Sequence, residues 1–328
     1  MRTKPLHLAR ALAAGLALAS SLLLPMVASA QGYPTKPIKI VSSYGPGGPN
    51  DVFARMVAQR LGERLGQTVI VENRVGADGR IGAESVARSA PDGYTLLMLA
   101  LAHTAHPALY KLNYDVEKDF TPITRVASLP LMLVVNNDVP AKSVSEFVAL
   151  AKSKPGVLNY ASGGNGTSQH LAMELFASRS GIKMMHVPYK GLGPAFTDMI
   201  GGQVNAIMSP VASALPHVRG GKLRGLGLTT AARFPLAADL PTIAESGMPG
   251  FQIDTWHGLV APAGTPVEVV ARLNKEIAQI LQSPETKTNF ANQGAVPVGN
   301  SAADFAADIK SEIATWAKVV KEANIKVE

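Results

Sequence analysis

The stretch KPIKIVSSYGPGGPNDVFARMVAQRLGERLG, residues 36–66, decides the reading of the fold. Its first eight residues have the alternation and short apolar run of a strand. YGPGGPND follows as a glycine-rich turn, and VFARMVAQRLGERLG carries apolar residues at helical spacing. QTVIVENR (67–74) supplies the next strand, VGADGRIGAESVARSAPDG (75–93) a glycine-punctuated connection, and YTLLMLALA (94–102) a third strand, apolar enough for burial on both faces. This rhythm argues a parallel sheet with helices on its faces.

The pattern restarts near residue 131. LMLVVNN, GVLNYAS, KMMHVPY, QVNAIMS and KLRGLGLTT read as strands; SVSEFVALAKSK, TSQHLAMELFASRSG and GLGPAFTDMIGG read as helices between them. Ser143 or Ser145 caps the first of these helices. Two further helices close the chain, one with Pro266 just inside its start and one beginning at Ser301 with an apolar stripe through Phe305, Ile309, Ile313 and Trp316. Two βα runs plus C-terminal helices predict two α/β lobes of similar size. The loops after their strands then face one cleft, where ligands of open α/β sheets bind.

The first 30 residues stand apart. Arg2, Lys4 and Arg10 precede an apolar run broken by Ser20, Ser21 and Pro25, which ends in Ala28-Ser29-Ala30. That is the layout of a cleaved signal peptide, and it predicts export. The chain of 328 residues contains no cysteine, which excludes disulfides, thiolate chemistry and a lipid-anchored cysteine. Without its three basic leader residues the chain keeps 28 Lys and Arg against 24 Asp and Glu, a net of +4. A charge so mild and scattered makes no nucleic-acid footprint and fits a protein that meets small anions.

Two glycine-rich loops lead into helices, and both are candidate anion cradles. The first is SSYGPGGPND, with Gly48, Pro49 and Asn50 at the helix start; the second is SGGNGTS, residues 162–168. Glycines let backbone N–H groups approach a ligand, and a helix N-terminus offers unpaired donors with a partial positive charge. Asn50, Thr167 and Ser168 are also ordinary N-cap residue types, and Asp51 is expected to be structural. The second loop lacks the G-K-[ST] of a nucleotide phosphate loop and the third glycine of a dinucleotide fingerprint. Ser168 and His170 fail as a nucleophile and base: G-x-S-x-G is absent, and two residues apart on a helix they point some 200° apart. His103 and His106 sit at i, i+3 with no acid close in sequence to complete a metal set, so no metal and no cofactor is expected. His103 and Thr104, just after a buried strand, line the cleft or cap a turn. Tyr189 either packs or faces the ligand, and Lys190 is a cation at a candidate strand end.

Six ordered blocks resemble the signatures of one family: YPTKPIKIVSSYGPGGPNDVFAR, VENRVGADGRIGAESVARSAPDGYTLLM, NYASGGNGTSQHLAMELF, VPYKGLGPAFTDMIGGQV, GKLRGLGLTTAARFPLAADLPTIAESGMPGF and WHGLVAPAGTPVEVVARLNKEI. This is the Bug family, TctC-like extracytoplasmic solute receptors of tripartite tricarboxylate transporters. The resemblance implies a two-lobed periplasmic binding protein, type II-like, that is not an enzyme. It places lobe 1 at 32–130 plus 254–328 and lobe 2 at 131–253, joined by two hinge crossings. A small carboxylate would be held by backbone amides and hydroxyls of both lobes. The partners implied are membrane permease subunits, or a sensor kinase, with the receptor itself monomeric and no nucleic acid bound.

Carried over by position, the ligand contacts implied are Tyr44, Gly48, Pro49 and Asn50; Ala77; His103 and Thr104; Ser162, Gly163, Asn165, Gly166, Thr167 and Ser168; Tyr189 and Lys190; and Ser209. Two departures from the family pattern stand out. Asp78 occupies a place where glycine is usual, and Ser209 one where many members carry an acid that could pair with a ligand ammonium. The second implies a ligand without a free amine: a dicarboxylate, tricarboxylate or aromatic acid.

Overall fold

The computed structural model describes residues 32–322 and 325. The leader segment, residues 1–30, lies outside the described residues. The fold below is that of the unit beginning at Lys36.

Strand β1 (Ile38–Ser42) is buried along nearly its whole length, as a strand covered on both faces must be. It pairs in parallel with β2 (Val69–Asn73) and β3 (Thr95–Ala100). Between β1 and β2 runs α1 (Pro49–Leu65), opened by a proline whose φ suits a first helical turn and closed by Gly66 in the left-handed region. Phe53, Val57 and Leu61, one turn apart, are its buried face. Helix α2 (Arg80–Ala87) precedes β3. Helix α3 (Leu101–Leu109) follows β3 with no intervening loop, so the apolar run expected to be all strand changes to helix at its last two residues.

A single 17-residue strand, β4 (Phe120–Asn136), then serves two groups of strands. From Phe120 to Pro130 it pairs antiparallel with β9 (Asp254–Pro262), which also pairs with β3. From Leu131 onward it pairs antiparallel with β7 (Ala206–Pro210), and from Met132 with β8 (Leu223–Leu228). The second group is completed by β5 (Asn159–Ser162), parallel to β7 and to β6 (Met185–Pro188). Its helices are α4 (Val144–Ser153), capped by Ser143, then α5 (Ser168–Ser180), α6 (Leu192–Ile200) and α7 (Val211–Arg219). The strand order is β2-β1-β3-β9-β4-β7-β5-β6.

After β9 the chain adds α8 (Val267–Gln282), α9 (Pro284–Asn292), the short β10 (Val296–Pro297) and α10 (Ala302–Glu322). Of the expected stripe on α10, Phe305, Ile309 and Trp316 are buried and Ile313 is half-buried. Gly258 on β9 allows this approach, because a Cβ there would lie 2.3 Å from the Phe305 ring. Helix α10 packs mainly on α3 and β4, and also reaches α5, where Ser178 Oγ donates to Glu322 at 3.1 Å.

Candidate functional site

Local chemistry explains how the first loop is set. Ser42, the last residue of β1, donates to Asn50 Oδ1 at 2.8 Å. Asn50 Nδ2 donates to the Met98 carbonyl of β3 at 2.9 Å and lies 3.1 Å from His257 Nδ1 on β9. Burial lowers His257 to about 3, so its ring is neutral and can accept. The Asn50 carboxamide therefore ties α1 to three strands and does not cap the helix; Gly48 holds the N-cap position with no side-chain bond. The Asp51 carboxylate accepts from Gly47 N at 3.0 Å, from Arg55 and from Asn73. Burial alone would raise its pKa, but these bonds outweigh it and the pKa is lowered. Asp51 thus fastens the loop.

Where this loop meets the other half of the structure there is a cavity of about 240 Å³. Four helix beginnings open onto it. Gly48, Pro49 and Asn50 come from α1, Ala100 and Ala102 from α3, Thr167, Ser168 and Gln169 from α5, and Pro210 from the start of α7. No side chain caps α1, α5 or α7, so their first-turn N–H groups have no side-chain acceptor. Each helix contributes roughly half a positive charge at this end. Leu129, Tyr44 and Trp256 form much of the remaining wall, and no Lys or Arg lines it among the described residues. Trp256 is fixed from behind: its Nε1 donates to both oxygens of Glu312, at 2.7 and 2.9 Å. Burial raises that carboxyl to about 7.

Among the residues expected from sequence, Tyr44, Gly48, Pro49, Asn50, Thr167 and Ser168 line the cavity; the others do not. Ala77 precedes Asp78, which does. His103 is fully buried behind Tyr44, with ring centroids 5.8 Å apart, and its Nδ1 accepts from Ala100 N at 3.1 Å, closing the first turn of α3. Burial drives its pKa to about 3. Thr104 Oγ1 donates to Leu101 O at 2.6 Å and lies 3.2 Å from Glu312. Ser162 Oγ donates to Gly164 O, accepts from Gly164 N and lies 2.7 Å from His186 Nε2, so it shapes the loop from inside. Gly163 O accepts from Gly191 N, Gly166 is buried, and Asn165 is exposed. Tyr189 donates to Asp198 at 2.7 Å, Lys190 is exposed, and Ser209 is fully buried just before the cavity residue Pro210.

Sequence reasoning missed Ala100, Ala102, Leu129, Gln169, Pro210, Thr255, Trp256 and His257, and named Asp78 only as a departure from the family pattern. The run Thr255-Trp256-His257 did carry a signal: with Asp254 it makes four polar-capable side chains in a row at the start of a strand that is apolar thereafter, beside the crossing between strand groups.

The fold and this cavity define a two-lobed α/β binding protein. Residues 53–325 match the profile of the "Tripartite tricarboxylate transporter family receptor". The chain is 38% identical to protein BugT of Bordetella pertussis over 305 residues, covering 91% of this chain and 93% of BugT. A structure of an R. palustris protein with adipate aligns at TM-score 0.76 and 36% identity, covering 90% of this chain and 99% of that one. MatC of Rhodopseudomonas palustris, with bound malate, aligns at TM-score 0.72 and 33% identity, covering 88% and 100%. The chain belongs to the TctC, or Bug, family of solute-binding receptors.

Proposed function

We propose that this protein is exported through its cleaved leader to the periplasm, captures one small carboxylate, and delivers it to the membrane subunits of a tripartite tricarboxylate transporter. It is a carrier that leaves its ligand chemically unchanged. The observation that carries this reading is the convergence of four helix beginnings on a cavity that no Lys or Arg lines among the described residues. Such a site attracts an anion through preorganised backbone donors, which hold a carboxylate well when water is excluded. The adipate and malate held by two relatives support this choice of ligand chemistry. A small carboxylic acid is the class expected.

Capture works by closure of two lobes, 32–130 plus 254–328 and 131–253, about the crossings near Pro130 and Asp254. A ligand that bridges α1 and α5 favours the closed state by its difference in affinity for the two states. An affinity of about 1 μM corresponds to roughly 8 kcal/mol, within reach of several charge-assisted hydrogen bonds. A thermal-shift screen of small carboxylic acids tests the reading. At a concentration 100 times its Kd, a ligand of the native state adds about 2.7 kcal/mol of stability. At least one acid is expected to raise the melting temperature. A screen in which sugars or cations do so and no carboxylic acid does contradicts the proposal.

A further inference from the structure

Asp78 contributes the one carboxylate on the cavity wall among the described residues. Its position is set by unusual backbone. Ala77 and Asp78 both adopt left-handed φ, 47° and 54°, which few residues other than glycine tolerate; Asp and Asn are the main exceptions. The turn has no slack, since a Cβ on the neighbouring Gly79 would lie 3.1 Å from His103, Ser43 and Tyr44. Asp78 Oδ2 faces His106 Nε2 at 3.3 Å, and the His106 ring is fully buried. Among the described residues Oδ1 takes no hydrogen bond, and the side chain is 27% exposed. The residue that lines the cavity is thus tied through one carboxylate oxygen to a buried ring.

This arrangement splits the cavity electrostatically. Helix beginnings favour an anion, while Asp78 opposes a second anion near it and favours a hydrogen-bond donor, above all a cationic one. We propose that Asp78 is a specificity residue: it selects acids that carry an ammonium or hydroxyl group remote from their carboxylate and discriminates against plain dicarboxylates. The inference rests on the carboxylate-capture reading and narrows it. It also reverses the expectation drawn from Ser209. That residue is buried outside the cavity wall, so the lack of an acid there leaves the ligand amine unconstrained, whereas the acid at 78 faces the space a ligand would fill.

The test uses three five-carbon acids that differ at one end: 5-aminopentanoate, 5-hydroxypentanoate and glutarate. Isothermal titration on the mature chain is expected to give the ammonium acid the tightest binding, the hydroxy acid the next, and glutarate the weakest, at least tenfold below the first. Asp78→Asn tolerates the left-handed backbone, removes the charge, and is expected to erase that tenfold difference. Asp78→Gly relieves the backbone altogether and is expected to do the same. Glutarate binding tightest to the wild type, or both variants shifting all three affinities by one common factor, overturns the role of Asp78 while leaving carboxylate capture intact. Failure of all three acids to bind any of these proteins counts against carboxylate capture itself, and the inference falls with it.

Discussion

Asn50 has the residue type of a ligand contact and the bonding of a structural tie. Its amide joins Ser42, Met98 and His257 in a buried cluster. Asn50→Ala leaves those groups short of partners, at about 1–3 kcal/mol for each buried group left unsatisfied. The expected outcome is a loss of stability of a few kcal/mol in urea unfolding, with weakened binding as its consequence. Unchanged stability contradicts the tie. Thr167 differs. It is half-buried, lines the cavity, and donates only to Gly164 O at 2.8 Å. Thr167→Ala is expected to lower stability by only about 0.5–1.5 kcal/mol while weakening carboxylate binding at least severalfold in calorimetry. Equal affinity in both proteins removes Thr167 from the site.

Helices and strands carry the electrostatics that single residues do not. Glu312 on α10 anchors Trp256 on β9, and burial raises its carboxyl from 4.5 to about 7. An acid with a higher pKa in the folded state binds its proton more tightly there. Its contribution to stability is full below about pH 4.5 and is lost as pH rises through about 7. Glu312→Gln is expected to flatten this decline in unfolding free energy between pH 4.5 and 7, and an equally steep decline in the variant contradicts the assignment. The βα rhythm of β1–α1 and β5–α5 was legible because glycine loops separate strand from helix. The start of α3 was not: β3 passes into it without a loop, and a short apolar run looks alike in either state. Helix α7 was hidden by Pro210 at its cap and Pro216 within it. Two of the four helix beginnings at the cavity thus went unseen in the sequence, along with the wall residues of β9, whose place depends on pairing with strands more than a hundred positions away.

Across the whole molecule, β4 is the connecting member. Its first part belongs with β9 and its second with β7 and β8, and Arg125 donates to Asp254 at 2.8 Å to tie the two crossing strands. The cavity lies where both strand groups contribute: Leu129 and Thr255 beside the crossings, α1 and α3 from one group, α5 and α7 from the other. On the proposed carboxylate capture, this layout would make ligand grip a property of both halves, with the negative charge of the ligand as the common point of attachment. The most direct measurement compares an acid that raises the melting temperature with its own primary amide, by isothermal titration at one ionic strength. The two molecules share shape and size and differ in charge. The account predicts that the amide binds at least a hundredfold more weakly, about 2.7 kcal/mol. An amide that binds as tightly as its acid contradicts the claim that helix N-termini grip a carboxylate.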